Sequence, residues 1–225
     1  MKSNSMLFSG ITLLLFNYSF YAQQVGIREL NRVTDLISRD KISTIKNAEG
    51  SQFYNENYFL VNSANFDNPF LARYNAYLDK IEIKDQGYIK PSKDIIIASS
   101  DGKENYVYVD YLAEDSEQLT GYLNTLVDKS KFNIYKREKI ILEPEVKPVN
   151  SYDQYRAPRF KKMDLEFYYQ INNELIVLFP KKKKDFEKIF IGKEEKIKIY
   201  LKENKTSFSD EDDLIRLSTF LNTLL

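Results

Sequence analysis

The chain has 225 residues, 43% hydrophobic and 14% aromatic, enough to bury one sizeable core and to make one domain or at most two. Its 33 basic and 33 acidic side chains cancel, so it lacks the basic excess that nucleic-acid binding usually requires. Cysteine and histidine are both absent, which excludes disulfides, thiolate metal sites, cysteine nucleophiles, the Ser/His/Asp constellation and most zinc chemistry.

Residues 1–22 carry a single charge, Lys2, then an apolar stretch from Met6 to Phe16 and a polar exit at Ala22-Gln23-Gln24. That is the layout of a secretory signal peptide. The apolar run is too short for the ~18 to 20 residues that span a bilayer as a helix. The expected mature chain begins near Gln23, is periplasmic or extracellular, and keeps no stable transmembrane segment. Next, Ile27, Leu30, Val33 and Ile37 recur at helical spacing, predicting an amphipathic helix over 26–39, with a polar linker running to residue 50.

From 51 to 180 the pattern is that of an antiparallel meander. Strands are predicted at 58–62, 70–77, 81–84, 95–98, 106–111, 118–127, 131–142, 163–170 and 174–179. Turn residues separate them at Asp101-Gly102, Asp128-Lys129-Ser130 and Asn172-Asn173. Such short links allow only antiparallel neighbours, because a parallel crossover needs a dozen or more residues. Within 70–83 the apolar face changes parity, from Phe70, Ala72, Tyr74 and Ala76 to Ile81 and Ile83. One continuous strand cannot bury both sets on one face, so a turn or a bulge is expected at Leu78-Asp79-Lys80, the turn being preferred.

Residues 143–158 hold three prolines and read as a loop interrupting the sheet. Helical patterns follow at 183–190, 193–204 and 210–224, a cap belonging to the same domain. Ser209 to Asp212 fits a loose capping box, and Leu214, Leu217, Leu221 and Leu224 form one stripe. The predicted class is α+β: a curved antiparallel β-meander, a half-barrel or rolled sheet, with an N-terminal helix and C-terminal helices.

The run Lys181, Lys182, Lys183 and Lys184 reads as a solvated junction or as an anion-binding surface. Asp210, Glu211, Asp212 and Asp213 suit the first turn of a helix and lack the glycine and terminal glutamate of a calcium loop. The seven glycines fall in no phosphate-binding pattern, so no nucleotide cofactor and no metal is implied. Along 106–111, Tyr106 and Tyr108 share one face while Val107, Val109 and Tyr111 share the other. Tyrosines so placed are either cross-strand packing partners or a recognition platform. The candidate ligand-binding residues are Tyr54, Arg73, Asn75, Tyr77, Tyr106 and Tyr108; for Arg73 and Asn75 the alternative is a hydrogen-bonded pair anchoring a neighbouring loop.

The runs Gly50-Ser51-Gln52-Phe53-Tyr54-Asn55-Glu56-Asn57-Tyr58 and Leu71-Ala72-Arg73-Tyr74-Asn75-Ala76-Tyr77-Leu78-Asp79-Lys80-Ile81-Glu82-Ile83 resemble a group of uncharacterised exported proteins of Bacteroidetes-type bacteria. The resemblance extends to Gly121-Tyr122-Leu123, Phe167-Tyr168-Tyr169 and the C-terminal segment, and Arg73 to Tyr77 is its most specific part. It implies export and a shared fold, and it lends no function. The leading expectation is a non-catalytic exported binding protein for an apolar ligand or a protein partner. A carrier of this kind demands an apolar cavity of some hundreds of Å3. The alternatives are a histidine-free hydrolase built on a carboxylate pair and an envelope interaction protein using the lysine run.

Overall fold

The structure, a computed structural model, describes residues 36–38, 47–62, 66, 68–129, 131–150 and 152–225. The leader at 1–22 and most of the predicted helix at 26–39 lie outside them. Of that helix Leu36 is described and is helical, and the chain passes at Ile37–Ser38 into a strand, β1, paired with Ile89 and Tyr88. Leu36 and Ile37 both pack against the core beneath this sheet, and sheet pairing ends the helical pattern short of the predicted residue 39.

β1 belongs to a five-stranded antiparallel sheet with β2 (Phe59–Val61), β3 (Phe70–Asn75), β4 (Lys80–Ile83) and β5 (Gly87–Ile89), in the order β1-β5-β4-β3-β2. The parity change is a hairpin turn. Ala72 faces Ile83 and Tyr74 faces Ile81, so both apolar sets do share one face. The Asn75 side chain accepts from the amides of Tyr77 and Leu78 at 3.2 and 3.0 Å, and Asp79 takes the left-handed conformation with φ 52°.

The chain then runs through β6 (Ile96–Ala98), β7 (Asn105–Leu112), a 3-10 turn (Glu114–Ser116), β8 (Gln118–Val127) and β9 (Phe132–Arg137). The strand predicted at 131–142 is two strands, because Glu138 turns inward and the chain leaves the sheet to form β10 (Ile140–Glu143). β10 pairs with β11 (Arg159–Lys162) as a ribbon, so the predicted loop at 143–158 is the outer part of a hairpin. β12 (Glu166–Ile171) and β13 (Ile176–Leu178) follow, joined by Asn172 and Asn173 at φ 48° and 61°. Two consecutive positive φ values are what the tight hairpin turn requires, and asparagine tolerates them.

β7, β8, β9, β12 and β13 close into a ring: β13 pairs with β7 in parallel, Ile176 facing Tyr111 and Val177 facing Leu112. Five strands laid up and down put the first and last in the same direction, so a closed five-strand meander must have one parallel seam. Three helices complete the chain, α1 (Lys183–Glu187), α2 (Glu194–Glu203) and α3 (Glu211–Leu224). The capping residue of α3 is Asp210, one position later than the box suggested, and its side chain accepts from the Asp213 amide at 2.9 Å.

The result is three layers: sheet, barrel, helices. One core, with Ala72, Tyr74, Ile81, Ile83, Tyr106 and Tyr122, lies between the sheet and the outer face of β6, β7 and β8. A second, with Phe132, Phe167, Phe179, Phe186, Leu214, Leu217 and Leu221, lies between the barrel and the helices. The third fills the barrel with Tyr111, Leu123, Tyr135, Tyr168 and Ile176. The Asp79 turn clamps the first two layers. Its carboxylate accepts from the Tyr74 hydroxyl at 2.7 Å and the Tyr122 amide at 3.1 Å, in space that a Cβ at Gly121 would occupy. On the other side Ser218 and Asn222 of α3 hydrogen bond to the Phe132 carbonyl at 2.9 and 2.8 Å.

Candidate functional site

The six residues named from the sequence fall in three places. Arg73 and Asn75 lie on the outer face of the five-stranded sheet. The Arg73 guanidinium sits between the rings of Phe53 and Tyr58, 3.5 and 4.4 Å from their centroids, and pairs with buried Glu82 at 2.9 Å. Tyr58 also donates to Glu82 at 2.6 Å; burial and this carboxylate push the Tyr58 hydroxyl up to about 12. Asn75, fully buried, donates to Gln52 at 2.9 Å. Both side chains thus anchor the 52–58 segment across the sheet.

Tyr54 and Tyr77 lie at the base of the ribbon. The Tyr54 hydroxyl donates to the Met163 carbonyl at 3.1 Å under the Lys162 ammonium, and Tyr77 packs edge-on against Phe160. Tyr106 and Tyr108 lie between sheet and barrel. Tyr106 is 3% exposed and donates to Glu138 at 2.9 Å, while Tyr108 stands edge-on to Tyr122. These six residues do not surround one cavity. The tyrosine face of β7 is covered by the five-stranded sheet, and the opposite face is inside the filled barrel.

A large concavity lies elsewhere, a groove of about 1190 Å3 at one mouth of the barrel. The far mouth is sealed by hydrogen bonds, Asn133 and Tyr135 both donating to Gln170 at 3.1 and 2.8 Å. At the open mouth the inward residues Leu119, Tyr168 and Leu178 reach the groove floor, with Phe179 and Phe208 from the helical side. Its walls are the segment around the 3-10 turn, with Ala113, Glu114 and Glu117; the ribbon base, with Lys139 and Met163; and the link between α2 and α3, with Lys205 and Ser207.

Arg137 is the centre of the groove's electrostatics. It pairs with Glu166 at 3.1 Å, and its guanidinium lies 5.5 Å from the Tyr111 ring centroid. Burial works against its charge, but Tyr111, Glu166 and Tyr168 outweigh that and hold it more firmly protonated. Tyr168 donates to the same Glu166 at 2.9 Å, and burial pushes its hydroxyl well up. Lys181, part of the lysine run, pairs with Glu114 at 2.6 Å, and Lys181 and Lys183 line the groove. The rim therefore carries both signs, Arg137, Lys139, Lys181, Lys183 and Lys205 against Glu114, Glu117, Asp164 and Glu166.

The groove was missed from the sequence because its residues come from five separate segments of the chain. The alternation at Leu119, Tyr168 and Leu178 marks them as inward-facing without saying which end of a barrel stays open. Among the described residues no cluster of acidic side chains is placed to hold a metal ion, and no helix is long and apolar enough to cross a membrane. No family model, no curated protein and no solved structure matches the chain.

Proposed function

We propose that the chain is an exported, non-catalytic binding protein whose partner is a segment of another protein seated in the barrel-mouth groove. The observation that carries this reading is the groove's combination of an apolar floor, from Leu119, Leu178, Phe179 and Phe208, with an open rim of mixed charge. A lipid tail needs an enclosed apolar cavity, and here the barrel interior is filled by its own side chains. A peptide, with polar backbone and side chains of both kinds, complements an apolar floor and a charged rim. The hydrolase reading has less support: Glu166 is already engaged by the Arg137 guanidinium and the Tyr168 hydroxyl.

The test is a photo-crosslinking residue placed at Leu165 on the groove wall, activated in the native envelope, with mass spectrometry of the purified protein beside it. A discrete protein adduct together with a mature N-terminus near Gln23 is the expected result. A co-purifying lipid with no protein adduct would overturn the partner assignment, and an intact leader would overturn export.

A further inference from the structure

Three buried polar atoms on the outer face of the five-stranded sheet have no hydrogen-bond partner among the described residues: Arg73 Nε, Glu82 Oε2 and the Tyr88 hydroxyl. They are neighbours. Arg73 on β3 stands directly across from Glu82 on β4, and Glu82 directly across from Tyr88 on β5, so the three side chains form one cross-strand row. Glu82 and Tyr88 are each 2% exposed. Buried polar groups are nearly always satisfied, and three orphans in consecutive positions of one row call for a shared partner.

The bonds that the row does make show where that partner belongs. Glu82 Oε1 accepts twice, from Arg73 Nη2 at 2.9 Å and from the Tyr58 hydroxyl at 2.6 Å, while Oε2 accepts nothing. Arg73 and Glu82 therefore meet at one corner, not as the two-bond fork that a guanidinium and a carboxylate can form. The Phe53 and Tyr58 rings on either side and the Glu56 carbonyl at 3.4 Å hold the guanidinium in that position. Burial and then the Glu82 charge push the Tyr88 hydroxyl up, against the Asn75 amide and the Arg73 charge, so the hydroxyl reaches toward the same two groups. The Asn75 amide beside it bonds to Gln52.

The shared partner must accept from Arg73 Nε–H and from the Tyr88 hydroxyl, and must donate to Glu82 Oε2. An anion is repelled by the carboxylate oxygen, and a cation offers no lone pair to the two donors. Water does both, and a buried water makes about three hydrogen bonds. Leaving one buried polar group unsatisfied lowers the folded-to-unfolded ratio roughly 5- to 150-fold. Three at the low end of that range already exceed the cost of immobilising one water, at most about 30-fold.

We propose that the sheet binds one ordered water molecule between Arg73 Nε, Tyr88 Oη and Glu82 Oε2. The water completes the polar row that anchors the 52–58 segment, and its site is independent of what the barrel-mouth groove holds.

The test joins a high-resolution crystal structure to urea unfolding of Tyr88→Phe. A density peak about 2.6 to 3.2 Å from all three atoms is the expected result. No peak, or Nε and Oε2 meeting directly as a fork, overturns the inference. Tyr88→Phe adds a sign. If the hydroxyl donates to a water, its loss lowers the folded-to-unfolded ratio about 2- to 12-fold, whereas removing an orphaned buried hydroxyl leaves the ratio unchanged or raises it. An unchanged or raised ratio therefore also overturns the inference. A fall without the density peak assigns the loss to the neighbouring Asn75 amide and overturns it as well.

Discussion

Between the five-stranded sheet and the barrel the core is built on tyrosine, with Tyr106, Tyr74, Tyr122 and Tyr108 in ring contact one after the next, whereas between the barrel and the helices it is built on phenylalanine and leucine. The rings bury similar area, but a buried hydroxyl needs a partner. The tyrosine layer therefore draws in carboxylates, Asp79 against Tyr74 and Glu138 against Tyr106. The phenylalanine layer needs none. One layer is consequently linked to pH through buried acids, and the other rests on burial and packing with the neutral Ser218 and Asn222 hydrogen bonds to Phe132.

The largest expected effect is in the dry layer. Phe186 is fully buried and stacks among Phe132, Tyr169, Phe179, Phe190 and Phe208. Phe186→Ala should cost about 3–5 kcal/mol, the loss of an aromatic's transfer energy plus the cavity it leaves. Urea unfolding would show it, with the same loss at pH 4 and pH 7. A loss below about 1 kcal/mol would mean that α1 does not seal this core.

Gly121→Ala tests the clamp between sheet and barrel. The added methyl meets Asp79 Oδ2, so the carboxylate must move and the Tyr74 and Tyr122 bonds are disturbed, at roughly 1–3 kcal/mol. In an Asp79→Gly background that added cost should largely disappear, which a double-mutant cycle measures. Equal costs in both backgrounds would show that the methyl clashes with something else.

The meander was legible because its signals are local. Alternation, Asn172-Asn173, and the parity change at Asp79 each fix a strand face or a turn with no knowledge of the rest. β5 and β11 were missed for the same reason in reverse. Gly87-Tyr88-Ile89 is too short to show a period, and Arg159-Phe160-Lys161-Lys162 is polar, so only their partners reveal them as strands. The barrel's closure depends on Ile176 and Val177 meeting Tyr111 and Leu112, some 65 positions earlier, and nothing local encodes that meeting. Arg73 and Asn75 stood out as unusual residues on a strand face, and their partners Glu82, Phe53 and Gln52 show them as anchors for a covering segment.

The pH dependence of the tyrosine layer has a definite sign. Burial raises the Asp79 carboxyl above its ordinary value, outweighing the Tyr74 and Tyr122 hydrogen bonds and the Arg137 charge. Glu138 is raised for the same first reason, against Lys136 and Tyr106. The folded protein therefore holds these protons at higher pH than the unfolded chain does. Stability from these groups falls as pH rises from near the ordinary carboxyl value of about 4 through the raised folded value, and stays lower above it. Asp79→Asn keeps an acceptor for Tyr74 and Tyr122 and removes its share of that fall. Urea unfolding from pH 3.5 to 7 should show wild type losing stability relative to Asp79→Asn as pH rises; parallel curves would rule out the link.

The smallest effect is expected where the two layers touch electrostatically. Lys136 stands 3.5 Å from Glu138, on the tyrosine side, and 3.1 Å from Glu211, at the start of α3. Burial works against its charge, but Glu138 and Glu211 outweigh that and raise it. Glu138 is 8% exposed and depends on this lysine, while Glu211 is 39% exposed and already solvated. Glu211→Gln should thus cost less than about 1 kcal/mol, as a half-exposed pair does, and leave the Asp79-linked pH slope unchanged. A cost above about 2 kcal/mol, or a changed slope, would mean that the helical layer reaches through Lys136 into the tyrosine core, and the two layers would then titrate as one.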